Sequence, residues 1–164
     1  MFPEDIQAAA TSVVQAALKA GVMIATAESC TGGLVSGALT SVAGSSAVLD
    51  RGFVTYSNEA KAEVLAVSEG LLVQFGAVSE PVARAMALGA VDHSRATASV
   101  SVTGIAGPGG GSMEKPVGLV HFAAVGPRGG VVHIERRFGD VGREAVRLES
   151  VRVALALLLD AVAA

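Results

Sequence analysis

Residues 22–44 read VMIATAESCTGGLVSGALTSVAG and contain a complete strand–turn–helix pattern. The first six residues are apolar and lead straight into turn-forming side chains, which predicts a buried β-strand over 22–27. Beyond Gly32 one apolar face follows helical spacing until Gly44, and its members are Leu34, Val35, Ala38, Leu39 and Val42. A strand that passes through a tight turn into a helix is the building unit of α/β proteins, so this stretch predicts that fold class.

The segments on either side continue the alternation of helices and strands. Helical spacing over 4–20 ends at Gly21, and further strands are predicted over 52–57 and 98–103. A helix is expected over 58–65, and another begins where Ser79 can cap the first turn.

The last part of the chain follows a different pattern. The segments VGLVHFAAV and GVVHIERRF flank the turn GPRGG, which predicts an antiparallel hairpin, and a final helix is expected over about 141–162. The whole pattern predicts a three-layer α/β/α sandwich around a mixed, mostly parallel sheet with a late antiparallel hairpin. Since no linker or repeat divides the chain, residues 1–164 are expected to form one domain.

Composition narrows the class of protein. A net charge of −3 gives no basic surface for nucleic acid, so no nucleic-acid partner is expected. The longest apolar run, VALALLL over 153–159, is too short to span a bilayer, and the N-terminus lacks the layout of a secretory signal. A single cysteine allows no internal disulfide. These features predict a cytoplasmic protein without a membrane partner.

Three polar clusters follow predicted strands, at 28–33, 56–61 and 103–111. In open α/β sheets ligands bind beyond the carboxyl ends of the strands, so these clusters are expected to form one site. In the first cluster, Thr31, Gly32 and Gly33 precede a helix whose N–H groups could hold a phosphate or an oxyanion. The alternative is that Ser29 or Thr31 only caps the helix.

The second and third clusters offer a base and a backbone cradle. Lys61 could act as a general base if burial beside a cation such as Arg51 lowers its pKa, although a lysine is more often a solvated surface charge. The loop from Gly104 through Gly107 to Gly110 could wrap a phosphate, or it could be a mobile surface loop. It lacks the spacing of a Walker A loop.

Cys30 is a rival nucleophile, because Glu28, Cys30 and Lys61 are the residue types of the nitrilase-type amidases. A free cysteine is nevertheless often a small buried apolar side chain. His93, His121 and His133 lack the spacing of zinc ligands, so no metal and no cofactor are expected.

Four motifs together carry a family resemblance: TAESCTGG, GFVTYSNEAK, GAVSEPVA and SVTGIAGPGGGSMEKPVGLV. In their order and spacing they resemble the CinA C-terminal domain family over roughly residues 5–160. The resemblance implies an amidohydrolase that converts nicotinamide mononucleotide to nicotinic acid mononucleotide and ammonia. The pyrophosphatase activity of the N-terminal domain in full-length members is not expected, since these four motifs belong to the other domain.

The resemblance also implies roles for individual residues. Ser29 would be the nucleophile of an acyl-enzyme mechanism and Lys61 its base, with Tyr56 as a second group for proton transfer. Ser46, Thr103 and Arg143 would bind substrate, and the family implies a homodimer. Two alternatives stay open, a nucleotide- or phosphate-binding module without catalysis and an amidase that uses Cys30.

Overall fold

The computed structural model describes residues 1–164. Its helices are α1 (Glu4–Ala20), α2 (Leu34–Thr40), α3 (Asn58–Leu65), α4 (Glu69–Phe75), α5 (Glu80–Asp92) and α6 (Arg143–Ala163). Its strands are β1 (Ile24–Glu28), β2 (Leu49–Val54), β3 (Ala98–Gly104), β4 (Leu119–Val125) and β5 (Val131–Arg137). None of the helices is both long and apolar enough to cross a membrane.

The five strands form one mixed sheet in the order β2–β1–β3–β4–β5. Strand β1 is parallel to β2 and to β3, whereas β3–β4 and β4–β5 are antiparallel. Four strands therefore run in one direction and only β4 opposes them. The predicted mixed, mostly parallel sheet with a late hairpin is confirmed.

Helices cover both faces of the sheet. On one face α1 and α6 pack against each other, and α6 contacts β3 and β4. On the other face α5 lies across β1, β3 and β4, and α3 and α4 pack against it. Residues of β1 and β3 are almost all buried because both faces of these central strands are covered. The three-layer α/β/α prediction is confirmed.

One local prediction was wrong, and one helix was not predicted. The second strand occupies Leu49–Val54 rather than 52–57, and α4 was not expected. Strand β2 lies at the edge of the sheet, where most of its residues are exposed or only partly buried, so no buried apolar pattern marks its start. Residue 57 instead serves as the cap of α3, because the Ser57 hydroxyl accepts a hydrogen bond from the Ala60 N–H.

Candidate active site

The carboxyl ends of β1 and β2 bring Ser29 and Lys61 into contact. Ser29 is the first residue after β1, and Lys61 lies in the first turns of α3, whose start is fixed by the Ser57 cap. The Nζ atom of Lys61 lies 3.0 Å from the Oγ atom of Ser29. Lys61 is fully buried, and Ser29 keeps 8% of its surface exposed. A buried amine in hydrogen-bond contact with a serine has the geometry of a base and its nucleophile.

The environment of Lys61 favours the neutral amine. Burial lowers the pKa of the Lys61 ammonium from its ordinary value of 10.5 to about 8. Its Nζ also donates to the carbonyl oxygens of Thr55, at 2.7 Å, and Tyr56, at 3.3 Å. A neutral amine that donates to these two carbonyls keeps its lone pair for the Ser29 hydroxyl.

The second cation expected beside Lys61 is not there. Arg51 forms an ion pair with Asp50, with Nε and Oδ2 2.7 Å apart, and its side chain is half exposed. Loss of contact with water therefore lowers the pKa of Lys61 without a neighbouring arginine.

A cavity of about 280 Å³ opens over this pair. This is near the lower end, about 300 Å³, of cavities that hold small molecules. The sequence-predicted residues that line it are Ser29, Cys30, Tyr56, Lys61, Thr103, Gly104, Gly107, Gly110 and Arg143. The three polar clusters thus meet at one edge of the sheet, as the parallel order of β1, β2 and β3 requires.

Arg143, at the start of α6, joins two walls of the cavity. Its Nη2 donates to the phenol oxygen of Tyr56, and its Nη1 donates to the carbonyl oxygen of Gly107, both at 2.9 Å. The phenol of Tyr56 thus contacts Arg143, whereas the backbone carbonyl of Tyr56 contacts Lys61. The guanidinium places a positive charge at the mouth of the cavity.

The N-terminus of α2 does not face a ligand. The fully buried carboxylate of Glu28 accepts hydrogen bonds from the backbone N–H groups of Gly33, Val35 and Ser36, at 3.1, 3.0 and 2.8 Å. This carboxylate takes the place that the sequence analysis gave to phosphate or an oxyanion. The helix end does hold a negative charge, but the charge belongs to the protein.

Three predicted binding residues of this turn therefore lie away from the cavity. The Gly32 N–H donates to the Ser29 carbonyl, and the Gly33 N–H donates to Glu28. The hydroxyl of Thr31 is buried without a hydrogen-bond partner and does not line the cavity. Both glycines adopt positive φ, 59° at Gly32 and 97° at Gly33, so they shape the turn rather than approach a ligand.

Two other backbone N–H groups of the turn are free. Neither the Cys30 N–H nor the Thr31 N–H donates a hydrogen bond. Cys30 directly follows Ser29, and in strand–turn–helix hydrolase sites the residue after the nucleophile supplies one oxyanion donor. Of the two residues, Cys30 lines the cavity, whereas Thr31 is fully buried and does not.

Ser46 is not brought to this cavity. It lies exposed in a short 3₁₀ helix, Ser45–Ala47, and lines a separate cavity together with Ser36, Thr40 and Arg51. Ser46 therefore does not line the cavity over Ser29 in this chain.

Cys30 has the surroundings of a core residue. Only 5% of it is exposed, and burial raises the pKa of its thiol to about 12. No base donates to or accepts from its Sγ, and the Glu28 carboxylate is engaged with α2. The Glu28–Cys30–Lys61 arrangement of a cysteine amidase is therefore not formed.

Arg147 is a site residue that the sequence analysis missed. Its Nε donates to the carbonyl oxygen of Cys30 and its Nη2 to that of Thr31, each at 3.1 Å. No sequence motif had singled out Arg147. The available signal was its spacing of four residues from Arg143, which puts both on one side of α6.

The sequence as a whole matches the family model described as the CinA C-terminal domain, over residues 6–162. The chain belongs to the CinA C-terminal domain family. The resemblance inferred from the four motifs is thereby confirmed.

Individual members of the family are similar over most of their length. The nicotinamide-nucleotide amidohydrolase PncC of Enterobacter agglomerans is 58% identical over 139 residues, which are 84% of each protein. The PncC protein of Escherichia coli strain K12 is 50% identical over 159 residues, covering 96% of this chain and 95% of that protein. The competence/damage inducible protein CihA from Agrobacterium tumefaciens is 56% identical in sequence. Its crystal structure matches this one with a TM-score of 0.96, covering 98% of this chain and 97% of that chain.

Proposed function

We propose that this chain is a nicotinamide-nucleotide amidohydrolase that converts nicotinamide mononucleotide to nicotinic acid mononucleotide and ammonia with Ser29 as nucleophile. The names of the two PncC relatives support the substrate and the reaction. The observation that carries the mechanism is the 3.0 Å contact between Lys61 Nζ and Ser29 Oγ at the floor of the cavity. Residues 1–164 act in this proposal as one catalytic domain.

The first step forms an ester with Ser29. Neutral Lys61 accepts the hydroxyl proton of Ser29 while the Oγ atom bonds to the carboxamide carbon of the substrate. The carboxamide oxygen becomes an oxyanion, and the free N–H group of Cys30, which lines the cavity, donates to it. Loss of one such donor typically costs about 3 kcal/mol of transition-state stabilisation.

The second half of the reaction restores the enzyme. Lys61 returns its proton to the amide nitrogen as the carbon–nitrogen bond breaks, so ammonia leaves and the acyl group stays on Ser29. Lys61 then takes a proton from water, whose oxygen bonds to the same carbon. The carbon–Oγ bond breaks, the proton passes back to Ser29, and nicotinic acid mononucleotide departs.

The remaining lining residues hold the substrate in this proposal. Arg143 offers the positive charge that a ribose phosphate needs, and the loop over 104–111 offers backbone N–H groups beside it. Thr103 donates its hydroxyl to the carbonyl of Ala77, so it shapes the wall instead of donating to the substrate.

The test is ammonia release from nicotinamide mononucleotide by the purified chain, measured with and without a chelator. We expect equal release in both, because the proposed chemistry uses only Ser29, Lys61 and backbone donors. Binding of the nucleotide without ammonia release would indicate a binding module instead. Loss of activity in the chelator that zinc restores would contradict the Ser/Lys mechanism.

Two further statements belong to the same proposal. The protein acts in the cytoplasm, in keeping with its single cysteine, and it forms a homodimer, as the family resemblance implies. Sedimentation equilibrium measures the second directly, and a monomer at micromolar concentration would contradict it.

A further inference from the structure

Arg147 holds the turn that carries Ser29. It lies one helical turn after Arg143 on α6, and its guanidinium binds the carbonyl oxygens of two consecutive residues, Cys30 and Thr31, at 3.1 Å each. Sequence separations of 117 and 116 residues make these tertiary contacts, which tie the turn to a different layer of the fold. Two N–H groups of one planar fork fix both the position and the orientation of what they bind.

The contact fixes more than the carbonyl groups. A trans peptide is planar, so its C=O and N–H point in opposite directions. Arg147 holds the Thr31 carbonyl and so sets the direction of the Gly32 N–H, which belongs to the same peptide and donates to the Ser29 carbonyl at 3.0 Å. That carbonyl shares its peptide with the Cys30 N–H, the free donor next to Ser29 whose residue lines the cavity.

Two opposite charges hold the turn from its two sides. The Glu28 carboxylate accepts from N–H groups at its helical end, and the Arg147 guanidinium donates to its carbonyl groups. Gly32 is favoured in this turn by its φ of 59° and not by lack of space, since a Cβ there would make an ordinary van der Waals contact with Nη2 of Arg147 at 3.4 Å.

We infer that Arg147 is a positioning residue of the reaction, whose guanidinium keeps the free N–H group of Cys30 turned toward the developing oxyanion. This inference rests on the proposed function. It predicts an effect on the transition state rather than on substrate binding, because Arg147 touches the turn and not the cavity beside Lys61.

The first test compares Arg147→Ala with Arg147→Lys. We expect Arg147→Ala to lower kcat by about 100-fold while KM changes less than about threefold, as for loss of an oxyanion donor. Arg147→Lys keeps the charge but loses the planar fork of N–H donors, so its kcat should lie between those of the wild type and Arg147→Ala. Arg152→Ala is the matched control on the same helix, since Arg152 pairs with Asp5 and Glu149 and should keep full kcat.

The second test is chemical rescue. Arg147 also lines a cavity of about 670 Å³ with Phe2, Leu34 and Leu148, so a small cation can enter the space left by Arg147→Ala. Guanidinium at millimolar concentration, far below its unfolding range, should raise the kcat of Arg147→Ala at least tenfold. It should leave the wild type and Arg152→Ala unchanged. Absence of rescue in a variant that is folded by circular dichroism would overturn the inference, as would full kcat in Arg147→Ala.

A second readout separates this inference from the proposed substrate. A fluorophosphonate probe labels a reactive serine without any nucleotide, and mass spectrometry gives the labelling rate at Ser29. If the wild type is labelled but releases no ammonia, the proposed substrate is wrong, and slower labelling of Arg147→Ala with guanidinium rescue still supports Arg147. Unchanged labelling in Arg147→Ala contradicts it. If Arg147→Ala does not fold, kcat and the labelling rate at Ser29 are measured in Arg147→Lys instead. Wild-type values of both in that variant would contradict positioning by the guanidinium.

Discussion

Arg143 and Tyr56 meet across 87 residues of sequence, with the guanidinium Nη2 2.9 Å from the phenol oxygen. The same guanidinium binds the carbonyl of Gly107, so one side chain links α6 to the glycine-rich loop and to the end of β2. This contact separates two roles within the site. The backbone carbonyl of Tyr56 accepts a hydrogen bond from Lys61, the proposed base, and its phenol oxygen accepts one from Arg143, the proposed phosphate ligand.

Arg143→Lys should therefore weaken substrate binding more than turnover. A lysine cannot bind the phenol and the loop carbonyl together, so we expect KM to rise at least about tenfold with a smaller fall in kcat. Steady-state ammonia release measures both constants. Arg136→Lys, an exposed change on β5, is the control, and a KM equal to that of the control would remove Arg143 from substrate binding.

Tyr56→Phe tests whether the phenol transfers a proton. Because the phenol oxygen contacts Arg143 and not Lys61, we expect kcat within about tenfold of the wild type and a moderately higher KM. A loss of kcat by several orders of magnitude, with KM unchanged, would instead assign proton transfer to Tyr56.

Glu28→Gln should destabilise the fold. The amide keeps the shape of the carboxylate but removes its charge. Its NH₂ group, a donor, would also face backbone N–H groups that now donate to the Glu28 carboxylate. We expect the free energy of unfolding to fall by about 1–3 kcal/mol in urea titrations. Glu59→Gln on exposed α3 should stay within about 0.5 kcal/mol of the wild type. Equal stability of the two variants would show that Glu28 is not essential to the turn.

The pH dependence of activity follows from Lys61. Since burial lowers the pKa of Lys61 to about 8, kcat/KM should rise with pH through a limb near 8 and level off above it. Lys61→Arg cannot lose its proton in this range and should be nearly inactive though folded. A profile that is flat from pH 6 to 9, or an active Lys61→Arg variant, would exclude Lys61 as the base.

The same group affects stability in a definite direction. Between pH 8 and 10.5 the unfolded chain keeps a proton on Lys61 that the native chain has released, so native stability rises with pH in this window. Relative to Lys61→Met, the free energy of unfolding of the wild type should increase by about 3 kcal/mol over the window. A constant difference between the two proteins would mean that the native pKa of Lys61 is not lowered.

The central part of the fold was predictable because its signals are local. The run VMIATA and the helical face from Leu34 to Val42 fix a strand and a helix, and the glycines between them mark the turn. The parallel arrangement then requires the polar strand ends to converge. Ser29 and Lys61 follow from this convergence together with the family resemblance.

The incorrect or missing predictions concern residues whose contacts within the protein are not visible in the local sequence pattern. A helix N-terminus attracts an anion, but the sequence does not state that the anion is Glu28, five residues before Gly33. Arg147 was not predicted as a site residue because its partners, Cys30 and Thr31, are more than a hundred residues away. The bounds predicted for β2 were wrong because this edge strand has a neighbouring strand on one side only, so no buried apolar pattern marks its start.

The central claim is that the hydroxyl of Ser29, and not the adjacent thiol of Cys30, attacks the substrate. The most direct measurement is the rate of ammonia release from nicotinamide mononucleotide by Ser29→Ala and Cys30→Ala, each checked for folding by thermal denaturation. Ser29→Ala should lose several orders of magnitude in kcat, because it removes the attacking oxygen that lies 3.0 Å from Lys61 Nζ. Cys30→Ala should keep most of its activity and lose about 1 kcal/mol of stability as a small packing change. An active Ser29→Ala together with an inactive, folded Cys30→Ala would contradict the Ser/Lys mechanism.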